Sequence, residues 1–168
     1  SVAKIANCPV IEVDCHCVIP MPLYGKSVDR PFKFRSATKK LRKARIQRAW
    51  PKVDARPKQY DGKLPFTPVD IESEVADMKA RFNLLKQCDI DPTVHPVWSE
   101  RGGEIFALNK WQQYLDKGLS GYARRRNNAA DPNGVSRLSS AFHYGFLSPM
   151  KVAREAAAVG TKAAEKYL

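Results

Sequence analysis

Residues 134–149 read Gly-Val-Ser-Arg-Leu-Ser-Ser-Ala-Phe-His-Tyr-Gly-Phe-Leu-Ser-Pro. Ser136 and Ser139 flank Arg137 where an apolar run with helical spacing begins, so the pattern predicts the start of a helix. The first turn of a helix leaves N–H groups unpaired and carries a partial positive charge. Two hydroxyls and a guanidinium beside it would complete a site for an anion such as a cofactor diphosphate. The plainer interpretation is that Ser136 caps the helix and Arg137 is a solvated surface charge.

The composition favours a globular chain with a polyanionic partner. The 168 residues are 43% hydrophobic and 10% aromatic, and no apolar run approaches the ~20 residues of a membrane span. Lysine and arginine outnumber aspartate and glutamate by 29 to 17, so the net charge is +12. Such a charge attracts phosphate backbones, which makes nucleic acid the leading candidate partner. A basic surface without a specific partner stays open as the alternative.

The two ends of the chain and its cysteines indicate the cellular compartment of the protein. The chain begins at Ser1 without a signal-peptide layout and stops at Leu168 without a capping residue, so we expect a fragment of an intracellular protein. Nucleus, organelle and bacterial cytoplasm are not distinguished. Residues 15–17 read Cys-His-Cys, and a strand there would send the thiols and the imidazole to opposite faces. We therefore expect reduced thiols and no metal site.

The first fifty residues predict an early strand and then a basic helix. Residues 8–19 are rich in β-branched side chains, which indicates one or two short strands at the end of an α/β sheet. Prolines and mixed aromatics at 21–35 predict an irregular crossing segment. Residues 36–50 combine six cations with an apolar stripe of Leu41, Ile46 and Trp50, which is typical of a basic amphipathic helix. Its basic face either follows a phosphate backbone or is solvated.

The remainder predicts a linker at 51–66 and then several helices. A cap and a proline at 67–68 begin a helix that runs to about Gln87. The apolar residues expected to form its buried stripe are Ile71, Val75, Met78, Phe82 and Leu85. A second helix follows the glycine pair at 102–103, and a last one begins at 148–149 and is interrupted near Gly160.

Residues 122–127 read Tyr-Ala-Arg-Arg-Arg-Asn and form a further helical candidate. A tyrosine can hydrogen-bond a cofactor phosphate, and an arginine can grip a DNA phosphate with two parallel hydrogen bonds. Residue types alone also allow Tyr122 to be a core residue. Three consecutive arginines cannot all lie on one face of a helix.

Four stretches together resemble the photolyase and cryptochrome family. Ser-Arg-Leu-Ser at 136–139, His-Tyr-Gly at 143–145 and Leu-Ser-Pro at 147–149 resemble its flavin-binding core. The other three are Val-Asp-Cys-His-Cys-Val-Ile-Pro at 13–20, Gly-Gly-Glu with Ala-Leu within 102–108, and Tyr-x-x-x-Arg-Asn at 122–127. The first and last of these three are similar to class II photolyases, which repair cyclobutane pyrimidine dimers. Ser-Arg-Leu-Ser is closer to class I enzymes and cryptochromes.

The resemblance implies a mainly α fold, namely the first part of the FAD-binding helical domain preceded by a remnant strand of an α/β domain and a long linker. The implied limits are 1–22 for the last strand of the antenna domain, 23–66 for the interdomain segment with the basic helix, and 67–168 for the N-terminal half of the helical domain. An antenna chromophore would belong to the missing part of the N-terminal domain.

The resemblance also implies a site. Arg126 would lie on the DNA side, and Val135 stands where the family commonly has threonine, so one hydroxyl contact is lost. The residues implied in holding FAD are Tyr122, Val135, Ser136, Arg137, Leu138 and Ser139. The helices that carry the family's lesion-contacting and electron-relay residues have no counterpart before Leu168. We therefore expect no catalytic residue in this chain and no repair by the chain alone.

Three functions stay open at this point. The resemblance implies a fragment of a DNA photolyase that repairs pyrimidine dimers in DNA by light-driven electron transfer from reduced FAD. We expect that protein to be a monomer and not to bind a membrane. A cryptochrome-type blue-light photoreceptor would use the same pocket for signalling. A basic nucleic-acid-binding module without flavin would fit the charge of +12.

Overall fold

A computed structural model describes most of the chain: residues 9–11, 13–52, 54, 56, 61–91, 93–95 and 97–168. These residues are mainly helical, as predicted, and none of them lies in a β-strand. The chain divides into two compact units, which are Ser1–Trp50 together with Gly102–Leu168, and Pro51–Arg101. The domain limits expected after residues 22 and 66 stay predictions, since the two units are defined by contacts alone.

The helices follow one another with short connections. In chain order they are α1 (Met21–Tyr24), α2 (Pro31–Gln47), α3 (Ile71–Glu74), α4 (Met78–Gln87), α5 (Glu104–Lys117), a 3-10 turn (Leu119–Gly121), α6 (Tyr122–Arg125), α7 (Ser139–His143), α8 (Pro149–Val159) and α9 (Lys162–Tyr167). The larger unit contains all of these except α3 and α4. None of the helices among the described residues combines the length and the apolar character needed to cross a membrane.

The strand predicted at 8–19 is not formed by the described residues of that stretch, 9–11 and 13–19. Residues 8 and 12 lie outside the described residues. A strand exists only where its backbone pairs with a neighbour, and no described residue supplies that ladder. The segment is held by a side chain instead, because Arg45 Nε of α2 donates to the Val18 carbonyl at 2.6 Å. Ile19 beside it is buried.

The irregular segment predicted at 21–35 is also wrong in part, since it contains α1 and the first turn of α2. Pro31 occupies the first turn of α2, where a missing N–H costs nothing, so the helix begins five residues earlier than predicted. Leu41 and Ile46 are half-buried, as expected for the inward stripe. Trp50 lies beyond the helix end and is 57% exposed, with the Arg154 guanidinium 4.4 Å from its ring centroid.

The core of the larger unit is built around α5. Trp111 and Tyr114 lie one turn apart on its buried face and pack against apolar residues of the following segments, which are Leu119, Leu138, Leu147, Val152, Ala156 and Ala164. Ser148 Oγ accepts from the Lys151 N–H at 3.4 Å and caps α8 with Pro149 in its first turn. Gly160, at φ +69°, ends α8, and Thr161 caps α9. The predicted interruption near Gly160 is confirmed.

The smaller unit differs from its prediction. The expected helix over 67–87 is split, because two aspartates each cap a separate helix: Asp70 accepts from the Ser73 N–H at 3.3 Å and Asp77 from the Ala80 N–H at 2.8 Å. The predicted buried stripe is largely exposed, with Ile71 at 70% and Met78 at 77%. An apolar stripe is buried only where another element packs on it, and no described residue of this unit is buried.

Candidate functional site

The loop between α6 and α7 is held in shape by an ion pair. Arg125 Nε donates to Asp131 Oδ2 at 2.5 Å, and Arg125 Nη2 donates to Asp131 Oδ1 at 2.7 Å. This two-pronged contact is the geometry that arginine offers to a carboxylate. Asp131 Oδ1 also accepts from the Asn133 N–H at 3.0 Å. The hydrogen bond from Arg125 lowers the pKa of Asp131, and the same hydrogen bond raises the pKa of Arg125.

Gly134 permits a close approach of two backbone segments at the end of this loop. A Cβ atom there would lie 2.8 Å from the Arg125 carbonyl oxygen and 3.3 Å from the Asp131 carbonyl oxygen. Gly134 is buried, and its own carbonyl accepts from the Tyr114 hydroxyl at 3.4 Å. A side chain at this position would therefore push the backbone at Gly134 away from the end of α6.

Ser136 is bound by a residue distant in sequence. The Tyr167 hydroxyl donates to Ser136 Oγ at 3.1 Å. The interpretation of Ser136 as a helix cap is wrong, because α7 begins at Ser139 with Leu138 at the capping position and no side-chain cap. Since Ser136 Oγ accepts from Tyr167, its own proton is left to donate elsewhere.

The sequence Arg137-Leu138-Ser139 divides between surface and core. Arg137 has φ +52°, the left-handed conformation that non-glycine residues seldom adopt. Its side chain is exposed, whereas Leu138 is 1% exposed and belongs to the core. Leu138 can therefore face a ligand only with its backbone. Ser139 is exposed at the first position of α7, which is short and ends before the turn at Gly145, φ +73°.

A pocket of about 320 Å³ lies between α5 and residues 132–137. Val135, Ser136 and Arg137 line one side, and Lys110 and Lys117 of α5 line the other. No lining residue is acidic. Arg125 also reaches the pocket, but its charge is balanced by Asp131. Lys117 and Arg137 thus give the pocket an excess of positive charge beside a serine hydroxyl, which suits a phosphate or diphosphate.

Lys110 and Lys117 were not predicted as site residues. They are seven residues apart, which is two helical turns, so both lie on the same side of α5. That spacing was visible in the sequence, but two lysines on one helical face are ordinary on any solvated surface. What distinguishes them is that residues 132–137 fold over this side of α5.

Tyr122 lies behind the pocket rather than in its lining. Its ring meets the Tyr167 ring edge to face, with centroids 5.1 Å apart, so Tyr167 joins Tyr122 to Ser136. The Arg126 guanidinium lies 5.8 Å from the Tyr122 ring centroid. Burial raises the pKa of Tyr114 to about 12, with a further contribution from the neighbouring Tyr167 and Tyr122. Burial also raises the pKa of Tyr167. Both phenols therefore remain hydrogen-bond donors at neutral pH.

The structure thus brings together some of the site residues that the family resemblance implies. Val135, Ser136 and Arg137 share one pocket, and Tyr122 with Arg126 joins them through Tyr167. The side chain of Leu138 belongs to the core, and Ser139 does not line the pocket.

Comparison with known proteins supports a relationship to DNA photolyases, at a coarse level. The chain is similar to the deoxyribodipyrimidine photo-lyase of Arabidopsis thaliana, with 28% identity over 150 residues. The matched region covers 86% of this chain and 28% of that protein, so the chain spans less than a third of its relative. No protein-family model and no solved structure matches the chain.

Proposed function

We propose that this chain forms the phosphate-binding side of the FAD site in a photolyase-type flavoprotein that repairs cyclobutane pyrimidine dimers in DNA. The observation that carries the proposal is the pocket in which Ser136 and Arg137 face Lys110 and Lys117 across a space without carboxylates. The similarity to a photo-lyase over 150 residues supports it independently. FAD, when bound, would supply the light absorption and the electron donation.

The pocket residues fit the diphosphate of that cofactor. The cations Lys117 and Arg137 would neutralise its charge, and Ser136 would donate its free hydroxyl proton to a phosphate oxygen. A volume of about 320 Å³ is at the lower end for small-molecule pockets. It therefore suits the diphosphate with adjoining sugar atoms rather than a whole dinucleotide. Other parts of the protein would hold the flavin ring.

Arg126 is proposed as a DNA contact. Its guanidinium lies over the Tyr122 ring, so stacking orients it while its N–H groups stay available for a phosphate. Tyr122 would position Arg126 and Tyr167 rather than touch the diphosphate, because it does not line the pocket. This differs from the cofactor contact implied by the resemblance.

A second candidate function is a nucleic-acid-binding module without flavin. The net charge of +12 favours it, because a cationic pocket accepts phosphates from many sources. The two candidates differ in whether FAD binding depends on the pocket residues or follows the overall positive charge of the chain.

The deciding experiment is equilibrium dialysis of the purified 168-residue chain against FAD, ADP and riboflavin. We expect little FAD to copurify with the chain, weak salt-sensitive binding of FAD and ADP, and no binding of riboflavin, which lacks phosphate. Lys117→Gln combined with Arg137→Gln should weaken FAD binding at least about tenfold, the scale of a lost hydrogen bond to a charged group.

The matched control is Lys52→Gln with Lys79→Gln, which removes the same charge from the smaller unit. Equal weakening by both double variants would contradict the pocket assignment. Riboflavin binding as tight as that of FAD would also contradict the pocket assignment. Stoichiometric flavin in the purified chain would show that the prediction of an incomplete pocket is wrong.

A further inference from the structure

A second basic groove lies in the larger unit, between α2 and the helices α8 and α9. Two adjoining cavities of about 480 and 380 Å³ form it, and they share Lys39, Arg42, Lys162 and Glu165 as lining residues. None of the flavin-site residues proposed above lines either cavity. The groove is therefore a separate feature, and it uses the basic helix that the proposed flavin function leaves unexplained.

Two arginines of α2 hold the groove together. Arg42 Nη1 donates to the Leu168 carbonyl at 2.8 Å, and Arg35 Nη2 donates to the Glu165 carbonyl at 3.0 Å. The carbonyls in the last turn of α9 have no helical partner, so these guanidiniums satisfy them. Burial lowers the pKa of Arg42, and the nearby charge of Arg35 lowers it further. The nearby Glu165 carboxylate offsets part of this charge, so the floor of the groove carries a reduced but net positive charge.

Three lysines form the rim of the groove. Lys39 and Lys43 are one helical turn apart on α2, about 6 Å along its axis, and Lys162 lies across from them at the start of α9. All three are exposed. Within the described part of the chain none of them forms an ion pair, and Glu165 is the one acidic side chain in the lining. Their charges are therefore available to an external polyanion.

An aromatic ring stands at one end of the groove. Phe32, in the first turn of α2, is 63% exposed and lines the smaller cavity beside Arg35 and Lys39. A positively charged groove that ends on an exposed aromatic ring is the combination by which proteins bind single-stranded nucleic acid, with phosphates on the cations and a base on the ring.

We propose that this groove binds single-stranded nucleic acid, with successive phosphates along Lys39, Lys43 and Lys162 and one base stacked on Phe32. A single strand fits better than a duplex, because the cations line a cleft whose two sides, α2 and α9, are joined by direct hydrogen bonds. A duplex would meet only the rim. The carboxylates of an acidic polypeptide could pair with the lysines, but they would not stack on the exposed Phe32 ring.

The test is fluorescence anisotropy of the full chain with a labelled oligothymidine of about 16 nucleotides, titrated between 50 and 200 mM salt. Lys39→Gln, Lys43→Gln and Lys162→Gln in combination should reduce the slope of log affinity against log salt by about 2, which is roughly 0.7 for each phosphate contact that is lost. Affinity at 50 mM salt should fall at least about tenfold.

A matched triple variant separates location from net charge. Lys26→Gln, Lys40→Gln and Lys79→Gln also remove three positive charges, but from exposed positions outside the groove. We expect this control triple to lose less affinity for oligothymidine than the groove triple does. Its slope of log affinity against log salt should also change less. Equal losses in the two triples would overturn the proposal, because binding would then follow the overall charge. Circular dichroism of each variant confirms that the helices are retained.

The stacking part of the proposal is tested at Phe32. Phe32→Ala should weaken oligothymidine binding about fivefold or more, and Phe32→Tyr should restore it. Phe66→Ala, at a phenylalanine that is 65% exposed in the smaller unit, should have no effect. Duplex DNA bound as tightly as the single strand would overturn the assignment, and so would displacement of oligothymidine by an equal charge of polyglutamate.

Discussion

The Tyr167 hydroxyl donates a hydrogen bond to Ser136 Oγ at 3.1 Å, and these two residues are 31 positions apart in the sequence. Tyr167 belongs to α9, and Ser136 belongs to the loop that lines the cationic pocket. The contact leaves the Ser136 proton available for a ligand and fixes the loop against the aromatic cluster of Trp111, Tyr114 and Tyr122.

We expect Tyr167→Phe to lower the free energy of unfolding by about 1 kcal/mol, because it removes one partly buried hydrogen bond and keeps the ring. Ser136→Ala should have a similar effect. In the double variant the two losses should not add, since both remove the same interaction. Urea unfolding of the four proteins measures the coupling, and fully additive losses would show that the hydrogen bond contributes nothing.

Gly134→Ala should destabilise the larger unit by about 1–3 kcal/mol, because the new Cβ would lie 2.8 Å from the Arg125 carbonyl oxygen and the backbone would have to move. The control is Gly102→Ala, whose Cβ would meet only the edge of the Phe146 ring at 3.4 Å. That variant should stay within about 0.5 kcal/mol of the unchanged chain. Thermal unfolding compares them, and a Gly134→Ala chain as stable as its control would contradict the close approach.

The pair Arg125 and Asp131 should make stability depend on acid. The Arg125 hydrogen bond lowers the pKa of Asp131 in the folded state. The stabilisation is therefore complete above the unfolded pKa of about 3.9 and is lost as the pH falls through the lower folded value. Asp131→Asn should thus unfold at a lower Tm than the unchanged chain at pH 7, and the difference should shrink below about pH 4.

Arg125→Gln should remove the same acid-dependent component, because the carboxylate loses its donor. A gap in Tm that stays constant from pH 7 to pH 3 in both variants would mean that the ion pair does not couple to folding.

Trp111 and Glu155 offer a test of a polar contact to the core. Trp111 is 1% exposed, and its indole Nε1–H donates to Glu155 Oε2 at 2.6 Å. Glu155→Ala should cost about 1–3 kcal/mol, because the buried N–H would lose its acceptor. Glu155→Gln keeps an acceptor oxygen and loses the ion pair with Lys151, which at a partly exposed position is worth about 0–1 kcal/mol. Chemical denaturation distinguishes the two, and equal costs would contradict this account.

Local patterns correctly predicted the helix starts and ends that depend on residues close together in the sequence. The proline and serine at 148–149 predicted the start of α8, Gly160 predicted its end, and the apolar spacing after residue 104 predicted α5. The early strand and the buried stripe of 67–87 were predicted by the same kind of pattern, and the residues that the structure describes in these stretches do not form them. A strand needs a paired neighbour and a stripe needs a packing partner, and neither is encoded in the segment itself.

For the site, the sequence by itself determined the helical class and the Ser-Arg-Leu-Ser motif, because periodicity, capping residues and motif order are properties of neighbouring positions. Only the tertiary structure decided which members of that motif face the pocket. A left-handed residue at Arg137 sends Leu138 into the core. The packing of α9 brings Tyr167 to Ser136, and the loop folds over Lys110 and Lys117. These contacts join residues far apart in the chain, so they arise from how the helices pack rather than from any local pattern.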